Sequence, residues 1–291
     1  MLTEADFALF EAIDRHGPLP SSYLYAFTRH LRKDRTHLQN RLTEFYNGDS
    51  RGSHLVRPPQ QFASYEARYQ HLIYDLSPRA RRLLAEHGTS SAHMRRRADP
   101  FVHRFMSACV SASFELAAAT EGLRYISLRE ILDRPVGAAA RQSREPLALP
   151  IAGQSALIPD LLFGLEYPGK GFRFFAVECD RNTESIERKN LRQSAFARKL
   201  LGYAAALDAQ TYRNWWGVPN LHMLTVTTSA LHADNILRFI RSQLTSSCHQ
   251  AFGIQVTNTF GANWHVPKIP LSFLLASPWR TAVGTKDISK P

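Results

Sequence analysis

The stretches IPDLLFGLEY (158–167) and FRFFAVECD (172–180), joined by Pro168–Gly169–Lys170–Gly171, decide how this chain is read. Both are strand-like, and the tetrapeptide between them has the composition of a tight turn, so together they predict a β-hairpin. If the hairpin closes symmetrically on Gly169, Asp160 falls opposite Glu178, because both lie equally far from the centre. Glu178 and Asp180 are two residues apart and share a strand face, about 7 Å from each other. Three carboxylates then gather at one end of an otherwise apolar sheet. Charged groups rarely collect on a buried hairpin unless something cationic holds them, and a metal is the usual agent. Magnesium or manganese takes oxygen ligands, so Asp160 and Glu178 are the candidate metal ligands, with the carbonyl of Cys179 as a third. Such an ion lowers the pKa of a bound water and neutralises charge on a phosphoryl group. The plainer alternative stays open: Asp160 as a turn aspartate after a proline, and Glu178–Asp180 as a solvated strand end with Arg181 as partner.

At 291 residues the chain can hold one large domain or two ordinary ones. Its formal net charge is +11 and its isoelectric point about 9.9, an excess that points to a polyanionic partner, most often nucleic acid. Cys109, Cys179 and Cys248 are far apart and in no metal-ligand spacing, which argues against a disulfide framework or zinc site and suits a reducing cytoplasm. No apolar stretch approaches the roughly 20 residues of a membrane span, and the N-terminus lacks a signal peptide's apolar core. The expectation is a soluble cytoplasmic protein with no membrane partner.

The polar, basic segment GTSSAHMRRRAD (88–99) is the expected boundary between domains at 1–90 and 99–291. Before it, Thr3 caps a helix carrying Phe7, Phe10 and Ile13 that stops at Gly17-Pro18. A short helix over Ser21–His30 and a third from about Asp34 follow. Two strands are predicted at His54–Arg57 and His71–Leu76, and Ser77-Pro78 opens a last helix. Three helices followed by a two-stranded flap match the winged form of helix-turn-helix. On the third helix Leu38, Leu42 and Phe45 set the inner face, which turns Thr36, Gln39, Asn40 and Thr43 outward with Arg35, His37 and Arg41 on the flanks. Amides and arginines there suit base edges and phosphates. Arg51 and Arg57 at the base of the flap, with Arg79, Arg81 and Arg82, add to the case for DNA, although a solvated polar face on a bundle helix satisfies the same spacing. The insertion 58–68 reads either as an enlarged wing or as a loose loop.

Beyond the boundary, Asp99-Pro100 starts a helix to about Thr120 with Val102, Phe105, Met106, Cys109, Ser113 and Leu116 along its seam. After a short strand at 124–131 and the hairpin come a helix over about 184–208, a strand at Leu221–Thr227, a helix at about Ala233–Leu244 and a strand near Gly253–Thr257. This order predicts a mixed sheet covered by helices. LSFLLA (271–276) should pack, and 281–291 reads as frayed. Trp215 and Trp216 are read as turn packing before base stacking.

Pro159-Asp160 followed by Glu178-X-Asp180 across a hairpin resembles the core of the PD-(D/E)XK nuclease superfamily. The string VECDRNTESIERKN (177–190), behind a winged helix, is similar to the replication-relaxation family of plasmids, phages and integrative elements. Pro159 and Asp160 match its first element. Glu178, Asp180, Arg181, Thr183 and Glu184 match its second, with Cys179 and Asn182 as substitutions, and Lys199 four before Tyr203 matches its third. The resemblance runs from about Leu2 to Thr257. It implies an α/β (α+β mixed) fold, an N-terminal winged helix followed by a nuclease-like mixed sheet flanked by helices. Asp180 stands where the superfamily's lysine belongs, and an aspartate cannot stabilise an attacking hydroxide as an ammonium would. Either Lys199 or Lys189 supplies that charge from the next helix, or the domain survives as a platform for binding and assembly.

Three functions follow. The first is a DNA-binding protein of a mobile element, acting on double-stranded DNA in replication, transfer or its control, with replication or transfer proteins as partners. The second is a magnesium- or manganese-dependent DNA endonuclease or nickase with Asp160, Glu178, Asp180 and Lys199 as its catalytic set. The third is a homodimeric winged-helix regulator. In each the DNA-contacting set is Arg35, Thr36, Gln39, Asn40, Arg41, Thr43 and Arg57.

Overall fold

Gly169 sits at φ +70°, a left-handed conformation in which a side chain is strained, and it closes the hairpin at the expected centre. In the computed structural model, which describes residues 1–63, 70–89, 100–134, 138–181 and 195–291, β5 (Leu161–Tyr167) and β6 (Gly171–Asp180) pair antiparallel from Leu161↔Val177 to Tyr167↔Gly171. β6 is an interior strand of its sheet. It pairs antiparallel with β5 on one edge and parallel with β7 (His222–Thr227) on the other. Phe174 through Cys179 are all buried, as a strand covered on both faces requires, and this explains the unbroken apolar run FFAV ahead of Glu178.

The chain divides into two compact units. The first comprises 1–116 with 263–272, and the second 117–262 with 273–291. The division therefore runs through α5 (Phe101–Thr120), not through the polar segment at 88–99, of which 90–99 lies outside the described residues. The physical reason lies on α5 itself. The stretch of α5 just before the division carries Ser111, Ser113 and Glu115, which bond His16, Tyr23 and Arg15 and so tie it to the helices that precede the expected boundary.

In the first unit α1 (Glu4–His16), β1 (Leu19–Pro20), α2 (Ser21–Thr28), α3 (Arg35–Asn47), β2 (Leu55–Val56), β3 (Ile73–Leu76) and α4 (Pro78–Glu86) follow in order. The strands form an antiparallel sheet in the order β1-β3-β2. Asp34 caps α3 by accepting the His37 N–H at 2.7 Å, and Ser77 caps α4 through Ala80. Gly48 ends α3 at φ +73°, where a Cβ would lie 2.7 Å from the Gly52 backbone, so only glycine fits. Leu9, Phe10, Ile13, Leu38, Leu42, Phe45 and Leu84 make the core. β1 had no sequence signal, being two residues held by their pairing to β3. The insertion is anchored where it is described: the buried Gln61 amide accepts from the Ile73 N–H at 2.8 Å and donates to its carbonyl at 3.0 Å. Residues 64–69 of it lie outside the described residues.

The second unit is built on a seven-stranded sheet in the order β10-β9-β8-β7-β6-β5-β4. β4 is Arg124–Ile126, β8 Phe252–Val256, β9 Trp279–Thr281 and β10 Gly284–Lys286. β6, β7 and β8 run parallel and the outer pairs antiparallel. The short helices α6 (Leu128–Leu132) and α7 (Ala138–Arg141) precede the hairpin, while α8 (Ala195–Asp208), α9 (Thr211–Trp216), α10 (Ala230–Gln243) and α11 (Phe273–Ala276) follow it. Residues 182–194 lie outside the described residues, and with them the first part of the expected helix over 184–208, Lys189, and the motif residues Asn182, Thr183 and Glu184.

The terminal segment corrects the expectation of fraying. It forms β10, Ile288 is fully buried, Tyr167 donates its hydroxyl to the Ile288 carbonyl at 2.6 Å, and Arg173 donates to the Lys290 carbonyl at 2.8 Å. A polar, glycine-bearing tail reads as loose until a buried phenol on a distant strand supplies it a hydrogen bond. Both Trp215 and Trp216 donate their indole N–H to the Pro146 carbonyl, and Trp216 is fully buried, so the pair is packing. Among the described residues no helix is long and apolar enough to cross a membrane.

Candidate functional site

Glu178 is 2 % exposed on the interior strand β6, and α8 turns one face toward it. Lys199 and Tyr203, one helical turn apart, both reach its carboxylate: Lys199 Nζ bonds one oxygen and Tyr203 Oη donates to the other at 2.7 Å. Burial, then the negative charge of Asp160, push the Glu178 carboxyl up to about 7, against the downward pull of Lys199 and Tyr203. The site thus holds a buried acid whose ionisation is balanced between solvent exclusion and a nearby ammonium.

The other two carboxylates have partners of their own. The strict hairpin register ends at Leu161↔Val177; Asp160 donates its own N–H to the Val177 carbonyl at 3.0 Å and accepts the Cys179 N–H on its carboxylate at 2.8 Å. Asp180 pairs with His232 Nε2 at 2.7 Å and accepts from Thr227 Oγ1 at 3.4 Å. His232 lies in the first turn of α10, whose cap Ser229 accepts its N–H, and its ring meets the edge of Phe196 on α8 at 5.9 Å. Arg181 donates to the carbonyls of Phe260 (2.9 Å) and Gly261 (3.3 Å), and among the described residues it pairs with no acid.

These residues fit a resident divalent cation poorly. Among the described residues no group of three or more His, Cys, Asp or Glu side chains is placed to hold one. An ion between Asp160 and Glu178 would also have to displace the Lys199 ammonium from Glu178. The acids that the sequence gathers at one strand end are instead engaged one by one by protein donors.

Sequence reasoning passed over His232 and Thr227. Thr227 ends the parallel partner strand β7 and His232 lies on the helix that follows it, so they meet Asp180 only through the sheet order. The one available signal is topological: side chains after the carboxyl ends of adjacent parallel strands converge.

In the first unit α3 presents Arg35, Thr36, Gln39, Asn40 and Thr43 to solvent, above the buried stripe Leu38, Leu42 and Phe45. The Arg35 guanidinium lies over the Tyr25 ring at 5.1 Å, and Thr43 bonds back to the Gln39 carbonyl. Arg41 differs from the rest of the expected set. It binds the fully buried Asp6 at 2.7 Å, Glu44 at 2.7 Å and the Met1 carbonyl at 3.0 Å, which makes it a brace for the helix. Asp6 also pairs with the buried Arg32 at 3.0 Å. Burial would raise the Asp6 carboxyl, but the bonds from Arg41, Thr3 and Arg32 outweigh it and hold it at about 2. Arg57 is half-buried, bonded to Tyr74 Oη at 3.1 Å and lying over the Tyr46 ring at 4.0 Å. Arg79 and Arg81 are likewise engaged, with Asp49 and Asp75. Glu115 belongs to this unit, paired with Arg15 at 2.5 Å and His16 at 2.8 Å, and takes no part in the carboxylate site.

The family model described as replication-relaxation matches residues 10–221. Neither the curated proteins nor the solved structures contain a significant match to the chain.

Proposed function

The chain belongs to the replication-relaxation family, and on that premise we propose that it binds double-stranded DNA through α3, with the second unit serving as a platform. We read the first unit as a winged helix. The observation that carries this reading is the face of α3: five polar side chains exposed on a helix whose opposite face is packed and whose angle is braced by the Arg32–Asp6–Arg41 cluster. A rigidly held helix offering Gln39 and Asn40 has the chemistry for base edges, and Arg35 that for phosphate. The net charge of +11 supplies the salt-sensitive part of the affinity. What favours a platform over a nuclease in the second unit is that each carboxylate is already engaged by a protein donor. The family membership supports a role for such an activity in the replication, transfer or control of a mobile element.

The test is selection of bound sequences from a random duplex pool. The unmodified chain should enrich a motif, and the triple variant Thr36→Ala/Gln39→Ala/Asn40→Ala should lose that enrichment while keeping its fold. No enrichment and no salt-dependent retention of any duplex would refute the reading. Supercoiled plasmid incubated with Mg²⁺ or Mn²⁺ decides the second unit, because nicking that disappears in Asp160→Ala would replace the platform with a metal-dependent nuclease.

A further inference from the structure

The segment 263–272 comes late in the chain, beyond the family match, yet it belongs to the first unit. It is fastened at several points. Trp264 packs against the rings of Phe101 and Phe105 at 6.1 and 5.8 Å, and the Val266 N–H donates to Gln70 Oε1 at 2.9 Å. Ser22 on α2 donates to the Pro267 carbonyl at 3.2 Å, and the Leu271 N–H donates to Ser113 Oγ at 2.9 Å. Val266 and Pro267 are buried by this anchoring, while His265 and Lys268 stay exposed beside them.

The result is a cavity of about 300 Å³ lined by Gln70, His71, His265, Val266 and Lys268. Among the described residues no carboxylate lines it, and neither His265 nor Lys268 has an acidic partner. His71 is held by Ser21, the first residue of α2, whose hydroxyl lies 3.2 Å from its Nδ1. Burial lowers the His71 pKa, and the charges of Arg35 and Lys268 lower it further, so both cations lie within electrostatic reach of this ring. Arg35 is the first residue of the DNA-facing helix. The cavity thus gathers the side chains of Lys268, His265 and His71, with the charge of Arg35 at the start of α3 also felt by His71.

We propose that Lys268, His265 and His71 form a phosphate-binding site for the DNA backbone, a clamp that flanks α3 and is delivered by the 263–272 strap. The proposal rests on the DNA-binding reading above. A strap fastened to both α2 and α5 is rigid enough to fix the register of a duplex on α3, which is what phosphate contacts do.

The experiment uses the full chain and a labelled duplex, with affinity measured by fluorescence anisotropy across a salt series. Removing one phosphate contact lowers the slope of log K against log[salt] by about 0.9, which is roughly an eightfold loss at about 0.1 M salt. Lys268→Ala should show this loss equally on every duplex, and Lys268→Glu a larger one, with unchanged thermal melting. Arg238→Ala, at an exposed arginine on α10 in the second unit, is the control that should move neither quantity. Unchanged slope and affinity in Lys268→Ala, while the α3 triple variant loses its motif, would overturn the clamp and leave the DNA reading standing. No salt-dependent binding by the unmodified chain would overturn both. Inorganic phosphate raising the melting temperature of the unmodified chain but not of Lys268→Ala, with DNA affinity equal in the two, would overturn the clamp in favour of a small-anion site.

Discussion

Replacing Glu178 by glutamine tests the central feature of the second unit, an acid buried between a carboxylate and an ammonium. With its pKa lifted from 4.5 to about 7, Glu178 is a group whose neutral form the fold prefers. The sign follows directly. Its contribution to stability is fully present below about pH 4.5 and is lost as pH rises to about 7, because the unfolded chain ionises the group first. Across that window the loss amounts to about 3 kcal/mol. Glu178→Gln keeps the shape and removes the titration. The difference in unfolding free energy between the unmodified chain and the variant should therefore change by about 3 kcal/mol in favour of the variant as pH rises. Urea unfolding followed by tryptophan fluorescence is the assay, since three of the four tryptophans, Trp215, Trp216 and Trp279, lie in the second unit. Taking the difference cancels every group that behaves alike in the two proteins. A flat difference would mean that Lys199 and Tyr203 offset burial and Asp160 completely. A difference that grows in favour of the unmodified chain would mean that the ion pair dominates and the reasoning about burial is wrong.

Three further outcomes are expected. Asp6→Ala strands Arg32 in the core and should cost about 3–5 kcal/mol, with the acid-side stability of the unmodified chain falling between about pH 4 and 2 and that of Asp6→Asn lacking this fall; equal acid profiles would count against the brace. Gly164→Ala places a Cβ 2.8 and 2.9 Å from ring carbons of the buried Phe174 and 3.3 Å from Ile126, so thermal unfolding should report a loss of about 1–3 kcal/mol, and a neutral result would show that the sheet relaxes there. Ile288→Ala should cost about 2–5 kcal/mol by urea unfolding if the tail is packed as described, against less than about 0.5 kcal/mol for a frayed end.

Local chemistry made much of this protein legible. The Pro-Gly-Lys-Gly turn, the apolar run FFAV and the equal arms about Gly169 set the hairpin and its register, because strand pairing around a short turn is a counting problem. Caps at Asp34 and Ser77, and the spacing of Leu38, Leu42 and Phe45, placed α3 and α4 and the outward face of α3 for the same reason: each depends on residues within a turn or two. The Lys199–Tyr203 pair was recognisable as one helix face. The partners of those faces were not. Arg41 is tied to Asp6, thirty-five residues earlier, and the three acids at the strand end each meet a different donor, Cys179, Lys199 with Tyr203, and His232. The division inside α5, the strap that returns to the first unit and the burial of Ile288 likewise depend on contacts between residues far apart in the chain. Periodicity and capping are written into neighbouring residues, whereas which charge meets which is settled only when desolvation forces each buried polar group to find a partner.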